Sequence, residues 1–289
     1  MQAVVTLAGE GTRMLPWSRG LRKEFLPLYD RGAGGSPVLK PVAHLVVETL
    51  VRAGADRICV VAQPKDAEFV RNYFTVDPSF LKRHRAHAER LTDTRRFYRT
   101  IGGVRFTVAV QSHPLGFGDA VLAAGPTVRR QPFLLHAGDG VLIEPRRGFL
   151  LRTMAEFLEK GTVDGLLLVR RVRDPRRYGV VEGRVTKPFR GVRTIEVTEM
   201  VEKPARPRSR WAATAVYAFG PALLPALDAF RRSHHPRELE LTDGIRTLLR
   251  QGGRIVAFVL DARLGEWRSV GSPEGFARSL KRTRALARQ

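Results

Sequence analysis

The run Leu7–Arg13, "LAGEGTR", leaves a strand-like apolar segment, and Lys23 follows ten residues after its arginine. Gly9 and Gly11 can take positive φ and turn backbone N–H groups inward, which forms a nest for anionic oxygens. The Arg13 guanidinium adds a fixed fork of donors suited to phosphate. The spacing fits neither of two common phosphate loops, since no Gly-Lys-Ser/Thr follows and "GEGTRM" lacks the third glycine of the dinucleotide fingerprint. A second glycine turn, "PLGFGDA" (Pro114–Ala120), follows a strand that ends in Gln111, and a further strand ends in Asp139. Groups at the carboxyl ends of neighbouring strands in an α/β sheet converge on one crevice. Permanent cations, inward N–H groups and one hard carboxylate in that crevice point to chemistry on a nucleotide phosphate.

The elements that would position these groups alternate in type. Ala3–Gly9 reads as a buried strand, Val42–Gly54 as an amphipathic helix with a glycine stop, and Asp56–Gln63 as the next strand, a βαβ unit. A helix from Asp66, a strand Val104–Gln111, the helix "GDAVLAAGPTV" and a strand Pro132–Asp139 follow. Beyond them come a helix Phe149–Gly161 and a strand Val163–Val172. The glycine-punctuated "DPRRYGVVEGRV" predicts an antiparallel hairpin, and "IEVTEMVEKP" with "WAATAVYAF" a second hairpin-rich stretch. A capped helix in "ELELTDGIRTLLRQGG", a last strand "RIVAFVLD" and a basic helix over 273–289 complete the chain. The fold class is α/β, a mixed and mainly parallel sheet flanked by helices. With no repeat or low-complexity linker, residues 1–289 read as one domain, with a nucleotide-binding half over about 1–140 and an acceptor-binding half over about 141–289.

With 43 % hydrophobic residues and no apolar run of membrane-spanning length, the chain reads as soluble, and "QAVVTLAG" after Met1 reads as a strand rather than a secretion signal. The lone cysteine, Cys59, can form no intrachain disulfide and suits a reducing cytoplasm. Lys+Arg number 50 against 28 Asp+Glu, a net charge of +22, and arginine carries nearly all of it. The densest patch is Leu81–Arg105. Such charge suits nucleic acid or a polyanionic small substrate, and the lack of base-stacking motifs and zinc-finger spacing favours the small substrate.

In order along the chain, "LAGEGTRMLP", "RKEFLPLYD", "VVETLVRAG", "QSHPLGFGDAV", the "GD" of Gly138–Asp139, "YGVV", "VEKP", "TAVYAF", "ELELTDGI" and "VGSPEGF" resemble the sugar-phosphate nucleotidyltransferases. Among these the series is most similar to the bacterial-type UTP–glucose-1-phosphate uridylyltransferases. The arginine-rich insert after "NYF" resembles theirs more than the shorter link of the thymidylyltransferases, which favours UTP. The resemblance implies a Rossmann-like fold with a hairpin-rich sugar lobe, Mg²⁺ as cofactor, UTP and a sugar 1-phosphate as substrates, and commonly a homo-oligomer. It implies in-line attack of a sugar-phosphate oxygen on the α-phosphorus with loss of pyrophosphate. By similarity Ala8, Gly9, Gly11 and Thr12 approach the nucleotide, Arg13 holds the β- and γ-phosphates, and Lys23 neutralises the α-phosphate. Gln111 and Gly116 would take the pyrimidine, Asp139 the Mg²⁺, Gly179 and Glu202 the sugar hydroxyls, and Lys203 the sugar phosphate.

Other readings stay open for single residues. "GDG" around Asp139 is also a good turn, and Glu202 could pair locally with Lys203. His113 and His136 read as satisfied structural histidines, His234 and His235 as solvated, and Trp17 and Trp267 as packing residues. The chain departs from the family pattern at four places. Ser269 in "WRSVG" stands where a second metal-binding aspartate is usual, Arg22 where proline precedes the lysine, Gly140 where an acid or amide follows Asp139, and Ala215 where a glycine lies near the sugar. Asp243 and Asp261 are candidate substitutes for the missing carboxylate. These departures carry a second reading, a sugar-nucleotide-binding homologue of weak or no turnover, and the net charge carries a third, a nucleic-acid-binding protein.

Overall fold

The computed structural model describes residues 1–89, 91–128 and 131–289. Its strands are β1 (Gln2–Thr6), β2 (Pro27–Arg31), β3 (Pro37–Pro41), β4 (Arg57–Ala62), β5 (Arg105–Val110), β6 (Phe133–Ala137), β7 (Gly140–Ile143), β8 (Gly165–Arg171), β9 (Gly179–Phe189), β10 (Val192–Glu202), β11 (Trp211–Phe219), β12 (Ile255–Val259) and β13 (Glu266–Ser269). Among the described residues nine of them form one sheet in the order β5-β4-β1-β6-β11-β8-β12-β10-β9, and β2–β3 and β7–β13 are two-stranded ribbons. The pairings among β5, β4, β1 and β6 are all parallel. β11 then runs antiparallel to both β6 and β8 and joins the parallel first half to the mixed second half.

Helices cover both faces of this sheet, so its inner strands carry near-continuous apolar runs rather than an alternation. Ala3, Val5, Ile58 and Val60 pack with Val46 and Leu50 of the helix Val42–Arg52 and with Leu151 and Met154 of the helix Phe149–Leu158. The alternate residues Val4, Cys59, Val61, Phe133 and Leu135 pack on the opposite face with Val121, Leu227 and Ile245. The period of two along a strand sends its neighbours to opposite faces. The helix Val42–Arg52 begins after Pro41, and Gly54 reverses the chain at φ 103° before β4.

Three expectations are corrected. The hairpin predicted within "DPRRYGVVEGRV" is not there: Gly183 sits inside β9, where any Cβ would lie 2.1 Å from Glu196 O. The reversal comes later, at Arg190–Gly191, both with positive φ (47° and 79°). That two-residue turn, between Phe189 and Val192, matches the twist of the strands it joins. β10 and β11 do not form the second hairpin, because β11 pairs with β6, β8 and the start of β9 instead. "RIVAFVLD" is not the last strand, since "EWRS" forms β13 against β7.

Candidate active site

The chain leaving β1 is held by its neighbours at the carboxyl edge of the sheet. Leu7 N donates to Val61 O at 2.7 Å, and Gly138 N donates to Thr6 O at 3.0 Å, which brings the ends of β1, β4 and β6 together. Gly11, at φ 69°, turns the loop into the helical turn Thr12–Met14, where a bulkier residue would press on Ser18. Ser18 Oγ donates to Gly11 O at 2.8 Å. Gly9, expected to share the positive φ, does not. A Cβ there would stand 3.6 Å from Lys23 Nζ, an ordinary contact, so Gly9 lies directly against the lysine end. Arg22, where the family pattern has proline, is buried and ties the loop by donating to Gly9 O at 3.2 Å and Gln63 Oε1 at 2.5 Å, and by pairing with Asp66. Gln63 in turn donates to Ala8 O at 2.9 Å.

Lys23 Nζ lies 2.7 Å from Asp139 Oδ2 and 3.6 Å from Glu24 Oε1. Burial works against its charge, but these carboxylates outweigh it and raise its pKa. Burial also opposes the Asp139 charge, and Lys23 and Arg13 hold the carboxyl below its ordinary range nonetheless. β7 and β13 carry the residues around it: Ser269 is the register partner of Gly140, and Val270 N donates to Asp139 O at 2.8 Å. A Cβ built on Gly271 would lie 3.0 Å from Asp139 Oδ2, 3.3 Å from Ser269 Oγ and 3.8 Å from Arg13 Nη2, so these three groups converge on one point. Gly140 is required by packing, since a Cβ would meet the Trp267 ring at 2.2 Å.

Gln111 is buried, and its amide donates to Gly116 O at 3.1 Å and Asp119 Oδ2 at 2.8 Å. Gly116, at φ 106°, is pressed against the segment before the helix Leu241–Arg250, where a Cβ would lie 2.3 Å from Leu239 O. Across the cleft, Gly179 opens β9 and packs on Met200 and Glu202. Glu202 Oε2 accepts from Thr242 Oγ1 at 2.9 Å. Lys203, at φ 41°, pairs with Glu202 at 3.2 Å and Glu240 at 3.7 Å. Burial opposes its charge and those carboxylates raise its pKa. Lys203 stands at the rim rather than on the wall. A cavity of about 470 Å³ is lined by the other residues singled out in the sequence: Ala8, Gly9, Gly11, Thr12, Arg13, Lys23, Gln111, Gly116, Asp139, Gly179 and Glu202.

The cleft also holds residues that the sequence reading passed over: Arg177, Tyr178, Tyr217, Glu240 and Thr242. Glu240 and Thr242 were within reach, because they open a helix whose capping box (Glu240 with Asp243) is written in "ELELTD". Neither substitute carboxylate reaches Asp139. Asp243 accepts from Glu240 N at 3.0 Å within that cap, and Asp261 pairs with Arg263 at 2.9 Å. Among the described residues no three His, Cys, Asp or Glu side chains cluster in metal-binding geometry. His136 is not fully satisfied as expected. Its Nδ1 lies 2.7 Å from Ala137 O, but its buried Nε2 has no partner among the described residues, and burial pushes its pKa down to about 4. Trp267 packs as expected over Gly140 and beside His136, whereas Trp17 is 42 % exposed. Ala215, in place of the family's glycine, takes a left-handed φ of 59° at the irregularity in β11, a strained conformation for a residue with a Cβ.

Against known proteins, the profile of the family described as nucleotidyl transferase matches residues 2–285. A low-salt glycan biosynthesis nucleotidyltransferase of Haloferax volcanii is 27 % identical over 274 residues, 95 % of this chain, and the chain spans 63 % of that relative's length. A UTP–glucose-1-phosphate uridylyltransferase of Streptococcus pyogenes is 27 % identical over 86 % of this chain and 79 % of its own. The crystal structure of a UDP-glucose pyrophosphorylase complexed with UDP-glucose superposes with a TM-score of 0.81 at 23 % identity, covering 99 % of this chain and 98 % of that one, and shares its fold.

Proposed function

The chain belongs to the nucleotidyl transferase family, and from that membership we propose that it condenses UTP with glucose 1-phosphate, or a closely related sugar 1-phosphate, to a UDP-sugar and pyrophosphate. The observation that carries this reading is the single cleft in which the glycine loop after β1, the Lys23–Asp139 pair and the Gly179–Glu202–Thr242 wall face one another. The uridylyltransferase relative and the UDP-glucose-bound fold neighbour support the choice of uridine and glucose.

In this reading the uracil and ribose lie along Gln111 and Gly116, and the sugar hydroxyls meet Glu202 and Thr242. A sugar-phosphate oxygen attacks the α-phosphorus, a new P–O bond forms as the bond to the bridging β-phosphate oxygen breaks, and pyrophosphate leaves without a covalent enzyme intermediate. Lys23 sits where charge accumulates on the α-phosphoryl oxygens, and permanent positive charge preorganised there favours the transition state. Arg13 and the N–H groups of the Gly9–Gly11 loop hold the phosphate chain. Lys203, at the rim beside Glu202, meets the sugar phosphate.

The donor set beside Lys23 fits Mg²⁺ held by one carboxylate, Asp139, with the remaining positions left to phosphate oxygens and water, since this ion accepts few protein ligands. When bound it would neutralise charge on the phosphate chain. The buried Cys59 thiol and the absence of any helix long and apolar enough to cross a membrane among the described residues suit a cytoplasmic setting for this reaction.

Pyrophosphate release from UTP and glucose 1-phosphate in the presence of Mg²⁺ tests the reading. Lys23→Gln is expected to lower kcat by about 10²- to 10³-fold. If the wild type releases no pyrophosphate with any pairing of nucleoside triphosphate and hexose 1-phosphate, the reading fails. Ser269, a neutral hydroxyl beside Asp139, favours a second reading of a homologue that binds sugar nucleotides with little turnover. An inactive wild type in which Ser269→Asp creates Mg²⁺-dependent turnover would select it.

A further inference from the structure

Behind Asp139, a second cavity of about 460 Å³ opens between the start of the helix Pro273–Ala287, the end of β8 and the first half of β11. Arg13, Asp139, Arg177 and Tyr178 line both this chamber and the substrate cleft, so the two are continuous. Its walls add Arg170, Arg268 and Arg278. Arg268 is engaged with Glu266. Among the described residues, Arg13, Arg170, Arg177 and Arg278 make neither an ion pair nor a side-chain hydrogen bond. The side chain of Arg170 lies over the Tyr178 ring, 5.6 Å from its centroid, and its buried Nε has no partner among the described residues. A buried donor left unpaired costs free energy that a ligand oxygen would recover. Among the described residues the one carboxylate facing the chamber, Asp139, is already neutralised by Lys23 at 2.7 Å, and residue 269 contributes a neutral hydroxyl.

We propose that this chamber is the pyrophosphate pocket of the enzyme: Arg170, Arg177 and Arg278, together with Arg13, hold the β- and γ-phosphates of the incoming triphosphate and retain the leaving group after transfer. The proposal rests on the nucleotidyl-transfer reading for its place in the reaction, but its chemistry, polyanion capture by guanidinium forks, is tested without turnover. The planar fork of arginine pairs two phosphate oxygens at once and stays charged at any working pH, so these side chains neutralise the leaving group without a second carboxylate-held cation. The hydroxyl at 269 keeps the pocket cationic, whereas a carboxylate there would repel the same anion.

The test is isothermal titration of the full chain with inorganic pyrophosphate in EDTA, and separately with UDP-glucose, which carries no leaving group. Arg170→Gln and Arg278→Gln are each expected to weaken pyrophosphate binding about tenfold or more, the weight of one charge-assisted contact, and to leave UDP-glucose binding unchanged. Ser269→Asp is expected to weaken pyrophosphate binding in the same direction. Arg83→Gln, on the exposed helix Pro78–Arg83, is the control for attraction by net charge alone and is expected to change nothing. Arg278 is exposed on its helix, so its variant reads the pocket even where Arg170→Gln fails to fold. Pyrophosphate binding that is unaltered in the pocket variants, or that falls equally with Arg83→Gln, overturns the proposal. Arginine-dependent pyrophosphate binding in a protein that neither binds UDP-glucose nor turns over leaves the pocket standing and removes the uridylyltransferase reading instead.

Discussion

Glu24 shows how closely charge is managed next to Lys23. It is 2 % exposed, one of its carboxylate oxygens has no hydrogen-bond partner among the described residues, and burial pushes its pKa up to about 7 against the pull of Lys23. A carboxyl with a raised folded-state pKa contributes stability in its protonated form. That contribution is complete below about pH 4.5 and is lost as pH rises through 7. Glu24→Gln is neutral throughout, so its melting temperature should gain on the wild type between these limits and hold a constant lead above them. A lead that does not change with pH would refute the assignment. His136 slopes the other way, its contribution present above about pH 6.5 and lost as pH falls through 4, so the two partly cancel in the wild type and only a variant comparison separates them. Gln111, Asp139 and Glu202 could be placed at the cleft because each closes or follows a strand where the sheet delivers its side chains there, and Lys23 because it comes soon after the glycine loop that leaves β1. Arg170 and Arg177 were not, because nothing distinguishes two more arginines in a chain so rich in them until the fold brings them to one wall.

Between residue and fold, short elements carry most of the departures from expectation. The helix Val42–Arg52 reads as amphipathic, yet its glutamate is inside: Glu48 is 2 % exposed. Lys40 Nζ meets it at 2.9 Å and Arg147 Nη1 at 2.8 Å, and Asp30 pairs with both cations, at 2.9 and 2.6 Å. These partners come from β2, β3 and the loop after β7, so the buried charges lock the β2–β3 ribbon to the main body. Glu48→Ala leaves two cations facing each other with one carboxylate between them, and denaturant unfolding should show a loss of about 3 kcal/mol or more. A loss under about 1 kcal/mol would mean that water already screens the group. The helices and inner strands were legible through periodicity and punctuation. β13 was not, since four residues with charged neighbours make a faint signal. The hairpin turn was misplaced because Gly183 and Gly191 look alike in sequence, and only the register shows that one avoids a carbonyl while the other bends the chain. At β7–β13 two departures are coupled: Trp267 covers Gly140, so an acid could enter at 140 only if the ring moved.

Over the whole molecule, a net charge of +22 surrounds a cleft whose proposed substrates are all anions. A field of one sign raises encounter rates with such ligands and is screened by salt. With the proposed reaction, kcat/KM for the triphosphate should fall steeply as ionic strength rises while kcat changes little. A salt-independent kcat/KM would count against steering. A gel shift with duplex or single-stranded nucleic acid near physiological salt would instead give the charge a second purpose. Fold class was readable from the alternation of strands and helices, but the route of β11 was not, because antiparallel insertion between β6 and β8 leaves no local mark in "WAATAVYAF".

That route sets an order of events on the ribosome. β6 offers Phe133, Leu134 and Leu135 along the edge that β11 covers, and β11 is made long after it. The first half of the sheet therefore leaves the exit tunnel with an apolar edge bare, of the kind that pairs with other chains. Until Trp211–Phe219 has been synthesised and slotted in, the nascent protein depends on chaperones or on speed, and a ribosome stalled within residues 138–210 would release the form most prone to aggregate.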